Sequence, residues 1–224
     1  MGRSIFAVGD IHGHYWRLVK LIAQLPLREE DVLLFVGDYI DRGPDSGKVL
    51  QFLVELKASR PTTVFLRGNH EEMMLNARDT FQERRPDYER YALWMGNGGA
   101  ETIDSYPAAK PWWNRVPDEH WAFLEATGLE YWLGPYAFVH AGFLPPDARW
   151  PFAEDPRLWV REEFLDSSHD FGARVVFGHT PQKSGRPLVQ ANKIGIDTAA
   201  AYGGPLTAVQ LSVDDDDEMA VFQV

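Results

Sequence analysis

The chain has 224 residues, 45% hydrophobic and 13% aromatic, which suits one domain (1–224) with a large core. Its net charge is −11 and it has no Lys/Arg block, so a surface for nucleic-acid backbones is not expected. It has no cysteine, which excludes disulfides and thiolate chemistry and leaves His, Asp, Glu and Asn as metal-ligating types.

Residues 3–8 (RSIFAV) read as a short buried strand, and Leu18, Leu21, Ile22 and Leu25 then recur at helical spacing. Residues 32–36 are a second strand, and Val49, Phe52, Leu53 and Leu56 mark a second helix. "TTVFL" at 62–66 is a third strand, with a helix starting near His70. Repeated strand–loop–helix units predict a parallel sheet with ligands bound beyond the carboxyl ends of its strands. Residues 78–135 hold five of the eight tryptophans and few strand signals, so this segment reads as mostly helical or irregular. Strands return at "YAFVH" (136), "RVVFG" (174), "KIGID" (193), "LTAVQL" (206) and "MAVFQV" (219), the last two read as a hairpin around "SVDDDDE". No apolar run reaches 18 residues, so no membrane span or membrane partner is expected. "AVGDIHG" begins at Ala7, too early for a signal peptide, and a cytoplasmic location is the expectation.

Five strands end alike, an apolar run closing on residues that can bind metal. "AVGDIHG" supplies Asp10 and His12, "FVGDYIDRG" supplies Asp38, Asp41 and Arg42, and "FLRGNHE" supplies Asn69, His70 and Glu71. "FVHAG" supplies His140 and "VFGHTP" supplies His179. Ionised groups gathered at one sheet edge are costly unless paired or metal-bound. Imidazoles, carboxylates and one amide oxygen together suit manganese, iron or zinc.

The ordered set "GDIHG … GDYIDRG … GNHE … HAG … GHTP" resembles the phosphoprotein phosphatases of the calcineurin-like metallophosphoesterase superfamily, in particular their bacterial and phage serine/threonine members. The resemblance implies an α/β fold, a two-sheet β-sandwich flanked by helices in αββα layers. It implies two divalent metal ions, with manganese the expected pair. Asp10, His12 and Asp38 would hold one ion and Asp38, Asn69, His140 and His179 the other, with a bridging water or hydroxide attacking phosphorus in line. It makes His70 the acid for the leaving alkoxide and Asp41 its orienting carboxylate. Arg42 and Arg161 (in "LWVREEFL") would grip the phosphate. The implied activity is a metal-dependent serine/threonine protein phosphatase, with a phosphorylated protein or peptide as substrate and the oligomeric state open.

The alternative is a dinucleoside polyphosphate hydrolase of the diadenosine tetraphosphate type. "GDYIDRG" and "GNHE" favour the protein phosphatase, because that sister group tends to lack the acid at Asp41 and to read "GNHD". Pro181 in "GHTP" speaks against a phosphodiesterase, which usually carries a second ligating His there. A non-enzymatic binding module would normally have lost ligands. Glu71 and Asp197 stay outside the expected catalytic set. His14 is expected to begin the first helix and face away, and His120 and His169 read as surface residues.

Overall fold

The computed structural model describes residues 2–81, 87–214 and 219–224. Strand β1 (Ser4–Val8) leads to helix α1 (Tyr15–Gln24), β2 (Val32–Phe35) to α2 (Ser46–Ser59), and β3 (Val64–Phe65) to α3 (Asn69–Thr80). The middle of the chain forms α4 (Tyr88–Trp94), α5 (Ala100–Asp104) and α6 (Asp118–Glu125), then β4 (Glu130–Leu133). After β5 (Tyr136–Val139) come two single turns, α7 (Pro156–Trp159) and α8 (Glu162–Leu165). The chain finishes with β6 (Arg174–Phe177), β7 (Leu188–Val189), β8 (Lys193–Gly195), β9 (Thr207–Ser212) and β10 (Met219–Gln223).

Two five-stranded sheets result, in the orders β10-β9-β1-β2-β3 and β4-β5-β6-β8-β7. Ile5, Ala7, Val32, Leu34 and Val36 of the first sheet meet Tyr136, Phe138, Val176 and Ile194 of the second. The alternate side chains Phe6, Val8, Leu33 and Phe35 point the other way, onto Leu18, Leu21, Val49 and Leu53 of α1 and α2. On the far side of the second sheet, Val139, Val175 and Phe177 pack under Val160 and Phe164. Both faces of each sheet are covered, which is why the central strands are apolar throughout rather than alternating. The layers are therefore helix, sheet, sheet, helix, as the resemblance implied.

The parallel pairing expected of the first three strands is observed, and antiparallel strands are added at the edges. Neighbours β1, β2 and β3 are parallel, as are β5, β6 and β8. However, β9 runs antiparallel to β1, and the hairpin strand β10 antiparallel to β9. Strands β4 and β7 are antiparallel edges of the second sheet. A hairpin needs only a short connection, whereas a parallel neighbour needs a crossover. Residues 215–218, in the stretch read as the hairpin connection, lie outside the described residues.

The middle segment is mostly helical as expected, apart from β4, whose half-exposed edge pattern carries no strong strand signal. His120 is a correction: it is buried, with Nδ1 2.8 Å from the Tyr106 hydroxyl and Nε2 3.1 Å from Gln51 Oε1. Its polar sequence neighbours misled the surface reading, because on α6 it shares the inward face with Trp121 and Leu124. His169 is exposed, and His14 stands at the position just before α1, without a side-chain capping hydrogen bond.

Candidate active site

The carboxyl ends of β1, β2, β3, β5 and β6 converge, with Asp38 at the centre. Its Oδ2 lies 3.5 Å from His12 Nε2 and 4.0 Å from His70 Nε2, and its Oδ1 lies 3.4 Å from His140 Nε2. Asn69 Oδ1 is 3.0 Å from both His140 Nε2 and His179 Nδ1. Asp10 Oδ2 accepts the His179 backbone N–H at 2.9 Å. Six proposed ligands, Asp10, His12, Asp38, Asn69, His140 and His179, are thus brought together, and all six are buried.

The imidazoles have their lone pairs directed inward by backbone carbonyls. His12 Nδ1 donates to the Ile40 carbonyl at 3.0 Å and His140 Nδ1 to the Val36 carbonyl at 2.9 Å. In a neutral ring this leaves Nε2 as an acceptor. Each Nε2 then faces oxygens of Asp38, and that of His140 also faces the Asn69 amide oxygen. Around His140, acceptors facing acceptors at such distances fit a shared cation, while His12 Nε2 also has Arg42 Nη1 as a donor. Two further buried atoms, Asp10 Oδ1 and His179 Nε2, have no hydrogen-bond partner. His12, Asp38 and His70 form one group with metal-binding spacing, and Asp38, His140 and His179 another.

The electrostatics agree with this geometry. Burial, joined by repulsion from Asp197 and Asp38, pushes the Asp10 carboxyl well above its usual range. Burial also pushes the Asp38 carboxyl upward, but His140, His70, His12 and His179 together override it and hold the carboxyl below its usual range. Burial lowers His12 to about 3, so this ring is neutral at physiological pH. His140 and His179 are lowered first by burial as well. Neutral imidazoles and an ionised Asp38 are the protonation states in which metal ligands act, whereas Asp10 is pushed toward its neutral acid unless an opposite charge offsets its neighbours.

His70 is arranged differently. Its Nδ1 lies 2.7 Å from Asp41 Oδ2, and its ring packs edge-on against His12. Burial lowers its pKa, but Asp38 and Asp41 outweigh that and leave it raised. Asp41 itself is fully engaged. Trp94 Nε1 donates to both of its oxygens, at 3.1 and 3.0 Å, and the Thr102 hydroxyl donates to Oδ1 at 2.6 Å. The Asp41 backbone N–H reaches the hydroxyls of Thr102 and Ser46 in turn. The two Asp41 oxygens are thus occupied by His70, Trp94 and Thr102.

A cavity of about 600 Å³ opens over the cluster, lined by Asp38, Asn69 and His70 and by the cations Arg42, Arg161 and Lys183. Arg42 Nη1 sits 2.9 Å from His12 Nε2, and the guanidinium lies 5.3 Å from the centre of the exposed Tyr202 ring. The Arg42 backbone is received by the "GNGG" stretch. Gly98 accepts its N–H at 3.4 Å, and at φ 103° a Cβ on Gly98 would lie 2.7 Å from the Arg42 nitrogen.

The backbone of the site is strained. Among the described residues, six non-glycine residues have positive φ, and five of them are His12, Asp38, Asp41, Arg42 and His179. Each such conformation costs on the order of 1–3 kcal/mol, and such costs concentrate at functional sites.

Sequence reasoning left out Glu71, Trp94, Thr102 and Lys183. Glu71 is fully buried and fastens the Asp38 loop, accepting the N–H groups of Asp38, Tyr39 and Gly68, each at 2.8 Å. Burial and then the Asp38 charge push its carboxyl up to about 7. Its adjacency to Asn69–His70 was the available signal, and the three backbone donors were not legible. Glu71→Ala strands those donors and is expected to cost about 2–4 kcal/mol of stability. Thermal melting checks this, and an unchanged melting temperature means that other contacts hold the loop. Asp197 is also buried, its Oδ1 accepting the Ala199 N–H at 2.9 Å, so it braces the neighbouring loop.

Residues 3–199 match the calcineurin-like phosphoesterase family. The chain is 33% identical to serine/threonine-protein phosphatase 1 of Salmonella typhimurium, over 93% of this chain and 92% of that protein. It is 39% identical to serine/threonine-protein phosphatase 2 of Escherichia coli, over 92% and 91% of the two chains. In fold it resembles the crystal structure of a candidate diadenosine tetraphosphatase, with TM-score 0.62 at 20% identity over 100% of this chain and 94% of that one. The chain belongs to the calcineurin-like phosphoesterase family.

Proposed function

We propose that this calcineurin-like phosphoesterase is a metal-dependent serine/threonine protein phosphatase. The observation that carries the reading is the division of labour around Asp38. Asp38 is shared by two metal-spaced groups, one with His140 and His179 and one with His12 and His70, and of these rings His70 has its Nδ1 held by a separate carboxylate, Asp41.

Asp10, His12 and Asp38 would hold one divalent cation, and Asp38, Asn69, His140 and His179 a second. The unpartnered Asp10 Oδ1 and His179 Nε2 support that assignment. The pair of ions would supply charge neutralisation and an activated water nucleophile. Manganese is the proposed occupant, since the mixture of imidazole, carboxylate and amide oxygen accommodates it; iron and zinc fit the same donors.

The remaining chemistry belongs to the chain. Arg42 and Arg161, on the cavity wall, bind and orient the phosphate oxygens as forked donors. His70, with Nδ1–H held by Asp41, presents Nε2–H to the leaving alkoxide and protonates it as the ester bond breaks. Asp41 keeps that ring oriented and stabilises its charged form. Among the described residues no helix is long and apolar enough to cross a membrane. We place the protein in the cytoplasm, with phosphorylated proteins or peptides as its partners.

A side-by-side assay with added manganese is expected to show hydrolysis of phosphoserine and phosphothreonine peptides well above that of diadenosine polyphosphates. Reversed preference would favour the dinucleoside polyphosphate reading. Activity on p-nitrophenyl phosphate is expected to vanish on thorough chelation and to return with manganese; full activity after chelation would overturn the bimetal site.

A further inference from the structure

Lys193 is fully buried at the start of β8, on the far side of the second sheet from the first. A buried ammonium is costly unless its donors are satisfied. Among the described residues no carboxylate lies within ion-pair distance of it, although the Asp166 charge acts on it from farther off. Its Nζ instead donates to the carbonyl oxygens of Phe164, of Leu165 at 3.1 Å and of Ser167 at 2.7 Å, and it lies 4.5 Å from the centre of the Phe164 ring. The preceding residue adds to the grip, since Asn192 Nδ2 donates to the carbonyls of Ser167 and His169 at 3.2 and 3.1 Å. Two consecutive side chains therefore hold the carbonyl end of α8.

That helix is one turn long and cannot sustain itself. Arg161 stands at its other end, as the residue whose carbonyl accepts the N–H groups of Phe164 and Leu165 at 3.0 and 2.8 Å. Among the described residues the Arg161 side chain has no hydrogen-bond or ion-pair partner. Its reach into the cavity is therefore set by its backbone, and its backbone by α8. The apolar anchor of α8 is Phe164, edge-on to Phe177 at 5.1 Å; the polar anchor is Lys193.

We infer that Lys193 is a positioning residue, whose buried ammonium fixes α8 and thereby aims the Arg161 guanidinium at the substrate phosphate. This rests on the reading of Arg161 as a phosphate-binding residue. The cations on the cavity wall thus differ in kind: Arg42 is set by the strand-end loop of β2, and Arg161 by a lysine on the opposite side of its own helix.

The test is a double-mutant cycle in the manganese-loaded full chain with Lys193→Met and Arg161→Ala, reading kcat, KM for p-nitrophenyl phosphate and inhibition by inorganic phosphate. Arg161→Ala is expected to raise KM and weaken phosphate inhibition by about tenfold. Lys193→Met should reproduce most of that change with a smaller effect on kcat, and adding it to Arg161→Ala should change KM by less than about twofold. Where Lys193→Met does not fold, Asn192→Ala carries the same cycle with a smaller expected shift, about two- to threefold. Effects that multiply fully in the double variant, or a lower melting temperature with parental KM and phosphate inhibition, overturn the positioning role. Unchanged phosphate inhibition in Arg161→Ala alone shows instead that the Arg161 reading has failed, and the inference falls with it.

Discussion

Asp38→Asn is expected to weaken cation binding by at least about 100-fold and to abolish measurable phosphatase activity. The reason is the placement of its two oxygens. Oδ2 faces His12 Nε2 at 3.5 Å and Oδ1 faces His140 Nε2 at 3.4 Å, one oxygen toward each half of the site. An amide replaces one of those oxygens with an NH2 group, which turns a donor toward one half and removes the charge common to both. The fold itself should survive. The loop is held through the Asp38 backbone N–H on Glu71, and that contact does not use the side chain. The informative measurement is therefore metal content per chain, by elemental analysis, in protein with a parental circular dichroism spectrum. Two bound metals in that variant would show that Asp38 bridges nothing.

The same residue shows what kind of information the sequence holds. Asp10, Asp38, Asn69, His140 and His179 were legible because each follows an apolar strand, and parallel strands deliver their ends to one edge. The order of the motifs carried the family. Most supports of those residues were hidden for a physical reason: they arrive from segments distant in the chain. Trp94 and Thr102 reach Asp41 from 53 and 61 residues away, out of a segment whose local pattern says only that it is helical and aromatic. Lys193 grips carbonyls 26 to 29 residues earlier, and no side-chain pattern encodes a backbone acceptor. The left-handed backbone of His12, Asp38, Asp41, Arg42 and His179 was equally invisible, since none is glycine and the conformation is imposed by what surrounds it. At strand level the losses were β4 and the two-residue β7, edge elements stabilised by pairing rather than by burial. Side chains gathered at the proposed site are thus written near their motifs, whereas most of those that hold them in place are written wherever the fold returns.

His70→Asn is expected to lower turnover by about 10²–10⁴-fold while leaving metal content near parental. His70 lies at the edge of the ligand cluster, and its Nδ1 is spent on Asp41 at 2.7 Å. Its Nε2 is 4.0 Å from Asp38 Oδ2, so loss of the ring removes a proton donor from the cavity and no carboxylate from the ligand set. Loss of metal together with rate would reassign His70 as a ligand. The companion variant Asp41→Asn separates orientation from proton transfer. Donors from His70, Trp94 and Thr102 converge on Asp41, and an amide must turn its own NH2 toward one of them. That conflict should tilt the His70 ring and remove the charge that favours its protonated form, with a rate loss that approaches the His70→Asn value and up to about 10⁴-fold as its bound. Metal content should again stay near parental, because the Asp41 oxygens are spent on His70, Trp94 and Thr102. The double variant is then expected to be little slower than His70→Asn alone, since Asp41 acts on the reaction only through that ring. Independent, multiplying losses would mean that Asp41 has a second route to the chemistry, and equal metal loss in Asp38→Asn and Asp41→Asn would erase the division between the metal-binding and proton-handling carboxylates.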